Sequence, residues 1–208
     1  MLNTENIQTI PCGAYQENAY LVCPDGRDDA FLVDPGDGLS AIQAAINASG
    51  RTLSAILLTH GHYDHTGGVA DLAEKWPGIP VYLNHRDQTG EDAYLRQLFP
   101  PIPGAKDYDE GDTIRIGSLT LTVLATPGHS EGSVTLRCGD VLFCGDTLFA
   151  GSCGRTDFPG GSTKKMMTSL KRLGELEGDF HVLPGHMEAS TLDRERSWNP
   201  YLRQALNG

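Results

Sequence analysis

Residues 54–65 read Ser-Ala-Ile-Leu-Leu-Thr-His-Gly-His-Tyr-Asp-His, an unbroken apolar run that leads straight into four metal-binding side chains within six positions. No other feature restricts the fold so strongly. A strand without polar alternation belongs to a sheet covered on both faces, and therefore to a layered architecture. The run predicts a strand over 54–59 that delivers His60 at its C-terminal end. Two imidazoles at i and i+2 of an extended or turning segment can converge on one ion, at bond lengths of ~2.0–2.1 Å. Asp64 and His65 follow where the chain must turn before Gly67-Gly68, so they can diverge from the first pair and face a second ion. Glycines at 61, 67 and 68 permit so tight a path. A solvated histidine cluster, or a helix cap by Asp64, accounts poorly for three His and one Asp at this density behind a buried strand.

The same arrangement recurs downstream. His129 closes Thr126-Pro127-Gly128-His129 after an apolar strand over 119–124. Asp146 stands in Gly145-Asp146-Thr147 after Val141-Leu142-Phe143-Cys144, and His186 closes Pro184-Gly185-His186 after Val182-Leu183. Alone, each histidine is ordinary, and Asp146 is a turn residue. Together they complete a set of five His and two Asp. A catalytic zinc takes about three protein ligands and keeps one position open, so this set suits two ions. A carboxylate can span two ions where an imidazole cannot, which makes Asp146 the bridge. His60, His62 and His129 then hold one ion, and Asp64, His65 and His186 the other. The expected cofactor is a pair of divalent metals, zinc first, with iron or manganese compatible with the same ligands. His85 and His181, among polar neighbours, are left out.

Shorter signals fill in the organisation. Strands are predicted over 19–22 and 30–33 around the turn Pro24-Asp25-Gly26, and a helix over 39–48 that Gly50 stops. A helix over 69–76, a strand over 81–83 and a helix over 86–98 follow, and three prolines make 99–104 a loop. Hairpins are predicted for 113–116 with 119–124 around Gly117-Ser118, and for 133–137 with 141–143 around Gly139-Asp140. A helix over 166–173, capped by Ser162 or Thr163, precedes a strand over 181–183, and the remainder up to Leu206 reads as helical. The order fits one α/β domain over 1–208, an αββα sandwich of two mixed sheets back to back with helices on the outer faces.

Charge narrows the partners. With 16 Lys and Arg against 27 Asp and Glu, the net charge of -11 argues against nucleic acid and against an anionic membrane surface. A bound metal pair can still make one pocket positive. The five cysteines, 12, 23, 138, 144 and 153, are odd in number and lack a Cys-x-x-Cys spacing, which suits reduced thiols in a cytoplasmic protein. The N-terminal stretch lacks a signal-peptide pattern, and no apolar run approaches the ~18 residues of a membrane span.

The run from His60 to His65, with His129, Asp146 and His186, closely resembles the signature of the metallo-β-lactamase superfamily, and the resemblance extends over essentially the whole chain. It implies the αββα sandwich, metals in a cleft at one edge of the two sheets, and the ligand division above. It also implies that Asp34, in Val33-Asp34-Pro35-Gly36, supports the site from behind the ligands; a plain turn is the other reading. The segment from Gly151 to Gly160 looks like the loop of the glyoxalase II branch, which hydrolyses hydroxyacylglutathione thioesters. The tail, with Ser190-Thr191, Glu195-Arg196 and Asn199-Pro200, is similar to the short bacterial type without the C-terminal helical domain. Arg155 matches the basic position that contacts glutathione, where it would bind a substrate carboxylate. An ion pair with Asp157 is its alternative. In longer members an aromatic residue sits two places after the basic one, whereas here Asp157 does and Phe158 follows.

The activity implied is hydrolysis of a small thioester. Two cations lower the pKa of a shared water, and the metal-bridging hydroxide attacks the carbonyl carbon, with Asp64 and Asp146 orienting the nucleophile as well as the ions. A thiolate leaves with little protonation, in keeping with the lack of an obvious general acid. The competing reading is a persulfide dioxygenase of the same superfamily, which shares a loop like Cys153-Gly154-Arg155-Thr156-Asp157-Phe158 and nearly the same ligands around one iron. Pro159-Gly160 and the tail favour the hydrolase. β-Lactamases lack a bridging Asp at the position of Asp146, a nuclease would need a basic exosite, and a non-enzymatic module would be expected to lose ligands.

Overall fold

The strand that carries the histidine run, β4, spans Thr52–Leu57; the computed structural model describes residues 2, 4–26, 28–88 and 93–208. With β1 (Ile7–Cys12), β2 (Glu17–Val22), β3 (Asp29–Val33) and β5 (Val81–Tyr82) it forms a five-stranded mixed sheet in sequence order, parallel from β3 onward. The second sheet contains β6 (Thr113–Ile116), β7 (Leu119–Ala125), β8 (Val134–Cys138), β9 (Val141–Gly145), β12 (His181–Pro184) and β13 (Ser190–Thr191). Its order is β13-β12-β9-β8-β7-β6, and only β9 and β12 run parallel. Between them in sequence, β10 (Leu148–Phe149) and β11 (Ser152–Cys153) make a small hairpin.

Alternate residues of each strand enter different cores, because successive side chains point to opposite faces. Tyr20, Val22, Phe31, Val33 and Leu57 face Leu121, Val123, Leu136 and Phe143 between the sheets. Leu21, Leu32, Ile56 and Leu58 point the other way, under α1 (Leu39–Ser49) and α3 (Val69–Lys75). Leu142, Cys144 and Val182 do the same on the second sheet, under α5 (Thr163–Gly174) and α7 (Pro200–Asn207). Every residue of β2 is therefore buried, and each large apolar side chain so placed contributes ~1.5–3 kcal/mol. The result is the αββα sandwich. No helix among the described residues is long and apolar enough to cross a membrane, and all five cysteines are free thiols.

Several elements differ from expectation. The strand predicted over 54–59 stops at Leu57, because Thr59 gives its N–H and hydroxyl to Asp34 at 2.7 and 2.6 Å instead of to a ladder. The helix predicted over 86–98 is a 3-10 turn at His85–Asp87 and α4 at Ala93–Leu98, and 89–92 lie outside the described residues. Strand β1 has no counterpart among the expected strands; it carries Pro11 at the sheet edge, where a missing N–H is tolerated. The helical tail is two helices, α6 (Leu192–Trp198) and α7, divided at Asn199, which caps α7 by accepting from Tyr201 N and Leu202 N ahead of Pro200.

Candidate metal centre

One edge of the sandwich is closed by hydrogen bonds that cross between the sheets. Asn18 N donates to Gly185 O at 2.7 Å, Val134 N to Thr59 O at 2.8 Å, and Tyr20 Oη to Pro184 O at 2.6 Å. All seven predicted ligand residues come together at this edge, on the loops after β4, β7, β9 and β12. His62 has extended backbone angles (φ -64°, ψ 147°) and precedes α2 (Tyr63–Thr66), whose first turn carries Asp64 and His65. This change of backbone is why the first two histidines face one way and the next two ligand residues another.

The ligand atoms of His60, His62 and His129 lie within 4.8 Å of one another, and so do those of Asp64, His65 and His186. His62 Nδ1 is 2.8 Å from His129 Nε2, and His186 Nε2 is 3.3 Å from Asp64 Oδ2. Asp146 touches both groups: Oδ1 is 3.3 Å from His65 Nε2, and Oδ2 is 3.4 Å from His129 Nε2 and 3.7 Å from His186 Nε2. A tetrahedral ion with bonds of ~2.0–2.1 Å has edges of ~3.3 Å, close to most of these separations. Nε2 of His60, Nε2 of His65 and Oδ1 of Asp146 are also buried with no hydrogen-bond partner. Such atoms cost a few kcal/mol each when nothing compensates them, and a divalent cation is the partner that both a lone pair and a carboxylate accept. The residues present fit metal ions.

Behind the cluster, each imidazole is oriented through its other nitrogen. His65 Nδ1 donates to Asp34 Oδ2 at 3.1 Å, His129 Nδ1 donates to the Arg155 carbonyl at 2.8 Å, and His60 Nδ1 is 3.1 Å from Thr59 Oγ1. Asp34 has φ 49°, a left-handed conformation that Asp tolerates, and its oxygens are spent on Thr59 and His65. Burial first, then neighbouring imidazoles, hold His60 well below its usual range and push His62 down to about 3, in the neutral form that binds metal. Burial would raise Asp146, but the charges of His65, His129 and His186 outweigh it and keep it below the ordinary carboxylate range.

The cluster forms the floor of a 520 Å³ cavity whose walls include Tyr15, Tyr63, Leu98, Phe149 and Phe158, with Arg155 beside them. The Arg155 guanidinium is paired bidentately with Asp157, at 2.7 Å for both bonds, and stacks 3.8 Å above the Phe158 ring. Local sequence gave no reason to select Glu17 or Asp87. Glu17 is fully buried with its carboxylate unpartnered, 3.7 Å from His65 Nδ1, and burial drives it well above the usual carboxylate range. His85 is exposed and pairs with Asp107, and His181 is an exposed residue at the start of β12.

Two packed sheets with a cluster of His and Asp at one edge that fits divalent ions define a class of metal-dependent enzymes. The family model for the metallo-beta-lactamase superfamily matches residues 12–186, and the chain belongs to that superfamily. It is 37% identical to a probable metallo-hydrolase of Bacillus subtilis, over 93% of this chain and 95% of that one. It is 40% identical to a hydroxyacylglutathione hydrolase of Xylella fastidiosa, over 86% of this chain but 64% of that one. Among solved structures, it is similar to the B3 metallo-beta-lactamase BLEG-1 (TM-score 0.84, 33% identity, 94% and 99% of the two chains). It is also similar to TTHA1623 in a di-iron-bound form (0.80, 38%, 93% and 99%) and to ETHE1 from Myxococcus xanthus (0.78, 27%, 96% and 87%).

Proposed function

We propose that this metal-dependent hydrolase holds two divalent ions and cleaves a hydroxyacylglutathione-like thioester. The observation that carries the reading is the make-up of the cavity wall. Apart from the metal-holding set, its side chains are Tyr15, Tyr63, Leu98, Phe149, Phe158 and Arg155. Among the described residues, no carboxylic acid, lysine or spare histidine stands there to protonate a leaving group, and the hydrogen bond that Tyr63 makes to Tyr15 pushes Tyr63 up to about 12. A thiolate leaves without such help, whereas an amine does not. The 40% identity with the Xylella hydroxyacylglutathione hydrolase, over 86% of this chain, supports this choice.

When bound, a pair of divalent cations supplies Lewis acidity and lowers the pKa of water toward neutrality. His60, His62 and His129 would hold one ion, Asp64, His65 and His186 the other, and Asp146 lies between the two groups. Asp64 and Asp146, acceptors only, orient the attacking water. Leu98, Phe149 and Phe158 keep bulk water from the reacting carbonyl, which strengthens every charge interaction inside. Arg155 is the side chain placed to meet a carboxylate on the thiol carrier. Zinc suits this chemistry; iron and manganese suit the same donors, and the di-iron relative keeps iron in view.

The likeness to ETHE1 gives some support to a second reading, a persulfide dioxygenase. The two separate in one sample. The zinc- or manganese-loaded protein is expected to release thiol from S-lactoylglutathione with no oxygen uptake, and to turn over a β-lactam panel poorly. Iron-dependent oxygen uptake with glutathione persulfide, and no thiol release from any thioester, would replace the hydrolase reading by the dioxygenase.

A further inference from the structure

Asp87 stands outside the metal cluster yet touches both loops that supply its first three imidazoles. It ends the 3-10 turn His85–Asp87, whose cap Asn84 accepts from Arg86 N at 3.0 Å, and it is 2% exposed. Its Oδ2 accepts from Gly61 N at 2.9 Å and from Ser130 Oγ at 2.6 Å, and its Oδ1 accepts from Gly132 N at 2.7 Å. Gly61 lies between His60 and His62, and Ser130 follows His129. Ser130 is fixed in turn, since its N–H donates to Ser133 Oγ at 3.1 Å and the two hydroxyls are 2.6 Å apart. A Cβ at Gly61 would come within 2.9 Å of the Asp87 Cβ and carbonyl oxygen, and one at Gly132 within 2.7 Å of the Asp87 carboxyl carbon. Both glycines are required by the close approach of Asp87.

We propose that Asp87 is a positioning residue that sets the spacing of His60, His62 and His129, and with it the affinity of the ion these three hold. The inference rests on the ligand division argued above. Two amides and a hydroxyl converge on one side chain, and a carboxylate meets them because it has two acceptor oxygens and no donor. An asparagine of the same size has one oxygen, so it turns an N–H toward a donor on one loop or the other. The loops then separate on that side. Among the described residues, the hydrogen bonds that the Asp87 carboxylate accepts come from the 61 and 130–132 segments, while His65 is oriented by Asp34. The second ion is therefore spared.

Zinc alone is the probe, titrated against a chromophoric chelator in two backgrounds, His186→Ala and His129→Ala, each with and without Asp87→Asn. In the His186→Ala background Asp87→Asn is expected to weaken zinc binding on the order of 10- to 100-fold, the scale for partners behind metal ligands. In the His129→Ala background it is expected to change affinity by less than about twofold, as for an independent site. Asp179→Asn makes the same charge change at an exposed aspartate that accepts from Phe180 N and Asp193 N, and is expected to do neither. If near-UV circular dichroism shows Asp87→Asn unfolded, Ser130→Ala, which removes one of the three donors, should give a smaller loss confined to the first background. No loss in the first background, or equal loss in both, overturns the positioning role. Parent backgrounds that take up no zinc overturn the ligand division itself, before Asp87 is changed, and this role with it.

Discussion

His129 donates from Nδ1 to the backbone carbonyl of Arg155 at 2.8 Å, so Arg155 is tied to the metal cluster through its main chain while its guanidinium lies at the cavity wall, paired with Asp157. The two parts of this residue can be tested apart.

Arg155→Ala should leave metal content unchanged, because the carbonyl remains. It should raise KM for an anionic glutathione thioester by about tenfold and barely change KM for a neutral thioester of the same acyl group, the scale of a charge-assisted contact after screening by solvent. Asp157→Ala, which frees the guanidinium, should shift the anionic KM the other way. Steady-state kinetics on the two substrates decides; equal effects on both would assign Arg155 to its internal ion pair.

Asp146 lies between the two ligand groups, whereas His129 belongs to one. Asp146→Ala is expected to deplete both ions on dialysis, and His129→Ala mainly one. Elemental analysis after matched dialysis checks this, and full metal content in Asp146→Ala would remove it from the bridging role.

Asp34 accepts from Thr59 N, Thr59 Oγ1 and His65 Nδ1. Replacing it with Asn keeps a residue that tolerates φ 49°, and should weaken zinc binding on the order of 10- to 100-fold. Asp34→Ala should lose this and in addition ~1–2 kcal/mol of stability from backbone strain. Zinc titration and denaturant unfolding of the metal-free variants separate the two contributions.

Gly185 and Gly139 give a contrast in what a methyl group does. At Gly185 the added Cβ would press on Asp146 Oδ1 and His65 Cε1, so Gly185→Ala should abolish metal uptake. At Gly139 the hairpin turn has φ 62° and nothing lies within 4 Å, so Gly139→Ala should cost ~1–2 kcal/mol of stability and leave metal uptake intact. Metal analysis beside chemical denaturation measures both.

What local pattern determined is the set of elements that carry the site. An apolar run over 54–58 is satisfied only in a sheet covered on both faces, and Leu57 and Leu58 do enter opposite cores. Turn chemistry ended the strands within two residues of the expected positions, so His60, His129, Asp146 and His186 were readable as residues just after strands. The ladder's early stop at Leu57 was not, because Asp34, which takes Thr59 away from it, lies 25 residues upstream. Nor could Asp87 or Glu17 be distinguished from an ordinary turn or strand acid. Their importance comes from burial, and burial arises only when segments distant in sequence close over them. The same holds for the separations of 3.3–3.7 Å around Asp146. They depend on how the two sheets meet at their edge, through contacts such as Asn18 N to Gly185 O. Residue type and spacing specify which side chains can bind a metal; the packing of one sheet on the other decides whether their atoms meet, because hydrogen-bond and ligand geometry is set to tenths of an ångström and local pattern is not.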